Sequence, residues 1–204
     1  MKRLTKLMSV FAAGALFMGA LAGCGGSKDA GKAGDTIKVG ALLEMTGGSA
    51  SFGISSKNGI DLALKKINEK GVLGGKKLSL VVADTKSEAS EATNGMQKLV
   101  SQDKVVAVIG PNQSSAVIAA GAINNGSKVL GITPMGTNPD VTVDPKTKKT
   151  KEYNFRACFI DPFQGTVMAN YAFKDLKVKK AAILVDNTSD YAKGLTQFFK
   201  ENFI

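Results

Sequence analysis

Short apolar segments alternate with amphipathic segments along residues 36–202, and this alternation predicts strands followed by helices. The predicted strands are rich in β-branched and apolar residues and are bounded by glycine or polar residues; they cover residues 36–43, 78–83, 105–109, 128–132, 154–159 and 180–185. The predicted helices carry apolar residues at three- and four-residue spacing; they cover residues 54–70, 87–102, 114–124, 161–174 and 189–202. This succession is typical of an α/β protein with an open parallel sheet and helices on both faces.

The chain is predicted to contain one complete lobe and the beginning of another. Residues 36–160 supply the strands and helices of an N-terminal α/β lobe, which is long enough to bury its own core. Residues 161–204 predict a crossover and the opening of a second α/β lobe. No further strand follows the apolar segment 180–185, so this second lobe is expected to be incomplete and loosely held.

The first 23 residues have the order of a bacterial secretory signal. Two lysines and an arginine lie within the first six residues, and the apolar run 7–20 is shorter than a membrane span. Residues 21–24 (LAGC) and a polar, glycine-rich tether over 24–35 follow. The LAGC ending resembles a lipobox, which implies that Cys24 is lipidated and becomes the mature N-terminus. An ordinary signal peptide with an incidental cysteine is the alternative.

Charge and composition narrow the classes of partner. Lysine and arginine outnumber aspartate and glutamate 27 to 17, which gives a formal net charge of +10. The positive charge is diffuse, and aromatic residues are not interleaved with it, so no nucleic-acid partner is predicted. A lysine-rich surface that faces an anionic membrane is sufficient to explain the excess.

The residue types argue against enzymatic chemistry. The chain has no histidine, which removes Ser-His-Asp and Cys-His catalysis and histidine-containing metal sites. Neither a G-x-G-x-x-G motif nor a phosphate-binding P-loop occurs. Cys158 lies in an apolar stretch and is expected to be a buried, unreactive thiol, and Asp84 is expected to be structural. We therefore predict no catalytic residue, no metal and no cofactor.

Several short motifs occur in the order and spacing of one known family. They are residues 40–43 (GALL), 46–47 (TG), 105–111 (VVAVIGP), 133–139 (TPMGTNP), 155–165 (FRACFIDPFQG) and 190–195 (DYAKGL). Over residues 36–203 the chain resembles the N-terminal half of the leucine/isoleucine/valine-type periplasmic binding proteins of ABC transporters. The resemblance implies the type I periplasmic binding fold.

The resemblance also implies a function and a location. The protein would be a lipid-anchored solute-binding protein on the extracytoplasmic face of the bacterial membrane, at the cell surface or in the periplasm. It would capture a small branched-chain or aliphatic amino acid and deliver it to ABC permease subunits. A ligand-sensing receptor domain of the same fold is the alternative function.

The loops after the predicted strands contain the candidate binding residues. In open α/β sheets, ligands bind beyond the carboxyl ends of the strands. Ser114 and Ser115 open a helix there, where free backbone N–H groups and the helix dipole favour an anion. The next such loop contains Met135, Gly136 and Thr137. The loops are small and hydroxyl-rich, and the start of the helix suits a ligand carboxylate.

Individual roles follow from the resemblance. Ser114 would contact the ligand carboxylate, and Thr137 would contact both the carboxylate and the ammonium. Met135 would offer its backbone carbonyl to the ammonium, Phe52 would line the side-chain pocket, and Tyr191 would close over the ligand. The family's acidic partner for the ammonium is expected beyond residue 204.

Each of these residues also has a simpler explanation. Ser114 could be a helix N-cap, and Thr137 could belong to the turn before Asn138. Phe52 could be an ordinary core aromatic residue, and Tyr191 a surface tyrosine. Both interpretations stay open at the level of sequence.

Overall fold

The computed structural model describes residues 36–71 and 74–203. The strands are β1 (Thr36–Leu43), β2 (Lys77–Asp84), β3 (Ala107–Ile109), β4 (Leu130–Thr133) and β5 (Asn154–Arg156). The helices are α1 (Ala50–Lys70), α2 (Ala89–Ser101), α3 (Ser114–Ser127), α4 (Asp161–Asn170) and α5 (Asp190–Asn202). The predicted signal and tether, including Cys24, lie outside the described residues.

The five strands form one parallel sheet in the order β2-β1-β3-β4-β5. The prediction of an open parallel α/β sheet is therefore confirmed. Because all strands run the same way, their carboxyl ends meet at one edge, here called the carboxyl edge. Their amino ends meet at the opposite edge, here called the amino edge. Helices α1, α2 and α3 each return the chain from the carboxyl edge to the amino edge.

Helices cover both faces of the sheet, as predicted. Successive strand residues point to opposite faces, so Leu42 and Val108 pack with α2 and α3 while Ala41 and Leu43 pack with α1. The larger cluster also contains the buried residues Ala92, Met96, Leu99, Val105, Ala116 and Ala120. Fully burying a side chain such as Leu99 contributes roughly 1.5–3 kcal/mol. In the part of the chain that the structure describes, no helix is long and apolar enough to cross a membrane.

The strand predicted over residues 180–185 is wrong. This segment forms neither a strand nor a helix, and the Leu184 side chain is fully exposed. Its apolar sequence suits a strand buried between neighbours, but none of the five described strands pairs with it. Strand formation depends on a partner for the backbone N–H and C=O groups, and a hydrophobicity pattern does not report one.

Other differences concern element ends. Helix α1 begins at Ala50, four residues earlier than predicted, and β5 ends at Arg156. Helix α4 ends at Asn170, and a π-helical turn, Tyr171–Asp175, continues it.

The early start of α1 depends on a glycine. A Cβ at Gly53 would lie 2.0 Å from the Glu44 carbonyl oxygen, so only glycine lets α1 pass this close to the end of β1.

We expect Gly53→Ala to destabilise the protein by about 1–3 kcal/mol, because the backbone at Glu44 would have to move. Gly59→Ala is the matched control in the same helix, since no atom lies within 4 Å of its Cβ position. The control should be neutral or stabilise the fold by up to about 1 kcal/mol. Urea unfolding of the whole chain measures both free energies. Equal stability of the two variants would contradict the close approach of α1 to β1.

Candidate functional site

A cleft of about 760 Å³ opens at the carboxyl edge of the sheet. Its walls come from the start of α1, the loops after β2, β3, β4 and β5, and the first turns of α4 and α5. The lining residues that bear on ligand binding are Ser49, Phe52, Gln113, Ser114, Ser115, Met135, Thr137, Cys158, Phe159, Gln164 and Tyr191. The topological rule for open α/β sheets therefore places the cleft correctly.

The structure brings six of the seven predicted binding residues into this cleft: Phe52, Ser114, Ser115, Met135, Thr137 and Tyr191. Gly136 is the exception, because it does not line the cleft. Its N–H donates to Thr133 Oγ1 at 2.9 Å, and its carbonyl accepts from the Arg156 guanidinium at 3.0 Å. Gly136 therefore shapes the loop after β4 and is not placed to touch a ligand.

A buried carboxylate positions the start of α3. The Glu44 side chain is fully buried and accepts hydrogen bonds from the backbone N–H groups of Asn112 and Gln113, both at 3.1 Å. Those groups immediately precede the helix. The first N–H groups of a helix lack partners within it, so the backbone N–H groups of Ser114 and Ser115 are left for other acceptors. Glu44 is not among the residues predicted for the site, although an acidic residue directly after a buried strand is a visible signal in the sequence.

The two serine hydroxyls hold neighbouring segments against α3. Ser114 Oγ accepts from the Asn138 N–H at 3.3 Å, and Ser115 Oγ accepts from the Asp190 N–H at 3.0 Å. Each hydroxyl keeps its hydrogen free to donate. Ser114 is the first residue of the helix and not its N-cap, which is Gln113. The N-cap explanation of Ser114 is therefore wrong.

Thr137 presents a buried hydroxyl at the cleft. It is only 6% exposed, and its Oγ1 has no hydrogen-bond partner in the part of the chain that the structure describes. Nearby, Asp161 is fully buried, and its N–H donates to the Thr137 carbonyl at 3.0 Å. Burial raises the pKa of Asp161, and the nearby Thr137 hydroxyl and the Arg156 guanidinium oppose that rise. The hydroxyl and the carboxylate are neighbours that do not meet hydrogen-bond geometry, so both Asp161 carboxylate oxygens also lack a partner among the described residues. Unpartnered buried polar groups are costly and cluster at functional sites.

Apolar side chains form another wall of the cleft. Phe52 is 51% exposed and lies in the first turn of α1, so it is not a core aromatic residue. Met135 and Phe159 are exposed in the same cleft. Across it, the Tyr191 hydroxyl accepts from Gln164 Nε2 at 3.1 Å, which links α5 to α4. The cleft thus combines hydrogen-bonding groups near α3 with an apolar wall.

Cys158 and Asp84 are the two residues that were weighed as catalytic groups, and neither is placed to act as one. Cys158 is half-buried at the cleft, and burial raises the pKa of its thiol although the Arg156 charge opposes this. The thiol is therefore protonated at neutral pH and is a poor nucleophile. Asp84 accepts from Met45, Thr46 and Lys86, and these hydrogen bonds lower its pKa despite its partial desolvation. It fixes the loop after β1.

No metal centre is formed by residues 36–71 and 74–203: no group of three or more cysteine, aspartate or glutamate residues there is arranged to hold an ion. The cleft chemistry is therefore that of hydrogen bonds, apolar contacts and backbone dipoles.

Comparison with known proteins identifies the family. Residues 36–202 match the family model described as periplasmic binding protein. The chain belongs to this family. It is 36% identical over 159 residues to an amino acid binding protein of Pseudomonas aeruginosa, a match that covers 78% of this chain and 41% of the relative. The family consists of ligand-binding proteins, in agreement with the absence of predicted catalytic residues.

Two solved structures show the same fold. The branched-chain amino acid transporter substrate-binding protein LivJ of Streptococcus pneumoniae, in complex with isoleucine, is 39% identical with a TM-score of 0.75; the match covers 82% of this chain and 47% of that one. A solute-binding protein of an ABC transporter from Rhodopseudomonas palustris, in complex with 3,4-dihydroxybenzoic acid, is 28% identical with a TM-score of 0.72 and coverages of 83% and 44%. The periplasmic binding protein described here thus spans less than half the length of these relatives and has the type I fold.

Proposed function

We propose that this periplasmic binding protein captures a branched-chain or other aliphatic amino acid in the cleft at the carboxyl edge. One observation carries the proposal: the buried hydroxyl of Thr137, which has no hydrogen-bond partner among residues 36–71 and 74–203, lies in the same cleft as the start of α3. A small zwitterion would satisfy both the Thr137 hydroxyl and the free N–H groups at the start of α3, because it offers an acceptor and a donor group close together. The isoleucine complex of the Streptococcus pneumoniae relative supports this ligand class.

The ligand carboxylate would bind at the start of α3. The backbone N–H groups and hydroxyl hydrogens of Ser114 and Ser115 can all donate to it, and the helix dipole adds to the attraction. The buried carboxylate of Glu44 already accepts hydrogen bonds from the two preceding N–H groups. Its negative charge therefore weakens the attraction of the helix start for a ligand carboxylate. The serine hydroxyls and the Thr137 hydroxyl must therefore supply much of the binding energy for the carboxylate.

The ligand side chain would lie against Phe52, Met135 and Phe159. These side chains are exposed in the cleft, so an aliphatic group would gain by covering them. The aromatic acid bound by the Rhodopseudomonas palustris relative carries a carboxylate but no ammonium. A benzoate is therefore the appropriate competitor ligand, because it would engage α3 without using the acceptor capacity of Thr137 or of the Met135 carbonyl.

Calorimetry on the whole chain tests this ligand assignment. L-Leucine, L-isoleucine and L-valine should bind more tightly than 3,4-dihydroxybenzoate. Ser114→Ala and Thr137→Val should each weaken leucine binding about 10- to 150-fold, because each loses a hydrogen bond to a charged ligand group worth roughly 1.5–3 kcal/mol.

Ser127→Ala is the matched control, since Ser127 is exposed at the opposite end of the same helix. It should leave leucine affinity unchanged. Unaltered leucine binding in both cleft variants, or tighter binding of the benzoate, would remove the proposed site or the proposed ligand class.

We further propose that Cys24 carries the lipid that holds the protein at the extracytoplasmic face of the membrane, where it would deliver its ligand to ABC permease subunits. The sequence 21–24 (LAGC) after a basic and apolar segment supports this. A diacylglycerol thioether supplies two acyl chains, and stable membrane attachment requires two lipid signals.

Cys24→Ser should therefore move the protein from the membrane fraction to the soluble fraction, or leave it with its signal uncleaved. Cell fractionation and intact-mass measurement check this, with Cys158→Ser as the control that keeps the membrane location. A Cys24→Ser variant that fractionates like the unsubstituted protein, together with an unlipidated mass for the latter, would exclude the lipid.

A further inference from the structure

An exposed lysine lies near the beginning of four of the five described strands. Lys38 lies in β1, Lys76 precedes β2, Lys104 precedes β3 and Lys128 precedes β4. Because the strands are parallel and adjacent ones are about 4.8 Å apart, these lysines form a row along the amino edge of the sheet. The backbone bond from the Val106 N–H to the Lys38 carbonyl confirms that the chain segments of this row are neighbours.

The helix ends add more positive charge to the same edge. In the described part of the chain, nine exposed lysines lie at the beginnings of β1 to β4 or at the ends of α1 to α3: Lys38, Lys65, Lys66, Lys70, Lys76, Lys77, Lys98, Lys104 and Lys128. Acidic residues lie among them, and Asp103 pairs with Lys98 at 2.9 Å and accepts from Lys38 Nζ through its backbone carbonyl at 3.3 Å. The amino edge is therefore strongly basic.

The helix dipole favours a basic residue at a helix end, as at Lys70 and Lys98. Lys104 and Lys128 have φ angles of 57° and 55°, a left-handed conformation that glycine adopts at lower cost. All of these lysines lie at the edge opposite the cleft and so do not contact a ligand bound there.

We propose that the amino edge rests on an anionic phospholipid surface while the cleft opens towards solution. This inference depends on the proposed membrane attachment. Strand β1 begins at the amino edge, and only 11 residues separate Thr36 from Cys24. The 11 intervening residues, 25–35, give 12 Cα–Cα steps that reach at most about 40 Å, so a lipid at Cys24 would keep the basic edge close to the headgroups. Each lysine near an anionic surface favours binding roughly fivefold, and several act together.

Amine footprinting of the whole chain tests the orientation. The protein is reconstituted in vesicles of phosphatidylcholine alone or with phosphatidylglycerol, acetylated with an amine-reactive ester, and analysed by peptide mass spectrometry. Lys38, Lys76, Lys104 and Lys128 should react at least about fivefold more slowly on the anionic vesicles. About 1 M salt should abolish the difference, because it shortens the Debye length to about 3 Å. The reference residues are Lys86, exposed in the loop after β2, and Lys193, exposed in the first turn of α5. They lie at the carboxyl edge and should react equally on both vesicles.

A pair of charge-reversal variants distinguishes an effect of the amino-edge lysines from an effect of net charge. The double variant K104E/K128E should lose the protection of Lys38, whereas K86E/K193E, with the same net charge, should keep it. Equal protection of the reference lysines, or equal effects of the two variants, would overturn the proposal. Coupling Cys24 of a Cys158→Ser chain to a maleimide-headgroup lipid attaches the protein to the vesicle whether or not the native Cys24 is lipidated, and cell fractionation reports on the native Cys24 separately. An incorrect assignment of the lipid to Cys24 can therefore be distinguished from an amino edge that does not bind anionic phospholipid.

Discussion

The buried carboxylate of Glu44 is the interaction on which the cleft depends. It has no exposed surface, and its partners are backbone N–H groups ahead of α3. A buried charge is tolerated only when hydrogen bonds replace its hydration, so the loop after β1 and the loop after β3 are fixed to each other. Helix α1 can pass beside Glu44 only because Gly53 has no side chain. The position of Phe52, one residue earlier, follows from the same contact.

The other side of the cleft is held by hydrogen bonds to α5. The Ser115 hydroxyl accepts from the Asp190 N–H, and Asn138 Nδ2 donates to the Asp190 carbonyl at 2.7 Å. These bonds bring Tyr191, the next residue, to the cleft. Ser115, which we propose as a ligand contact, therefore also holds α5 in place. Between α4 and α5, the exposed apolar segment around Leu184 shows that this part of the fold is supported mainly by the two helices.

The strand and helix alternation of the first lobe could be predicted because hydrophobic periodicity reports burial directly. The rule that ligands bind beyond the carboxyl ends of parallel strands then located the cleft, which is why residues as distant in sequence as Phe52, Ser114 and Met135 were expected together. The predicted lobe boundary at residues 160 and 161, the lipid on Cys24 and the ligand contacts themselves stay predictions.

What could not be predicted depends on particular neighbours. Glu44 resembles any acidic loop residue until its N–H partners are known, and Asp161 resembles a helix-start residue until its burial is known. The segment 180–185 has strand-like sequence but no partner strand among those described. Gly136 was predicted as a binding residue together with Met135 and Thr137, but its hydrogen bonds show that it supports the loop after β4.

The most direct test is a nuclear magnetic resonance titration of the isotope-labelled whole chain with L-leucine. If the cleft at the start of α3 binds the amino acid, the backbone amide signals of Ser114 and Ser115 and the amide and methyl signals of Thr137 should move together with one saturation curve. Signals of Ser127 and of the amino-edge lysines should stay in place. Saturable shifts confined to another surface, with Ser114, Ser115 and Thr137 unmoved, would contradict the proposed binding site.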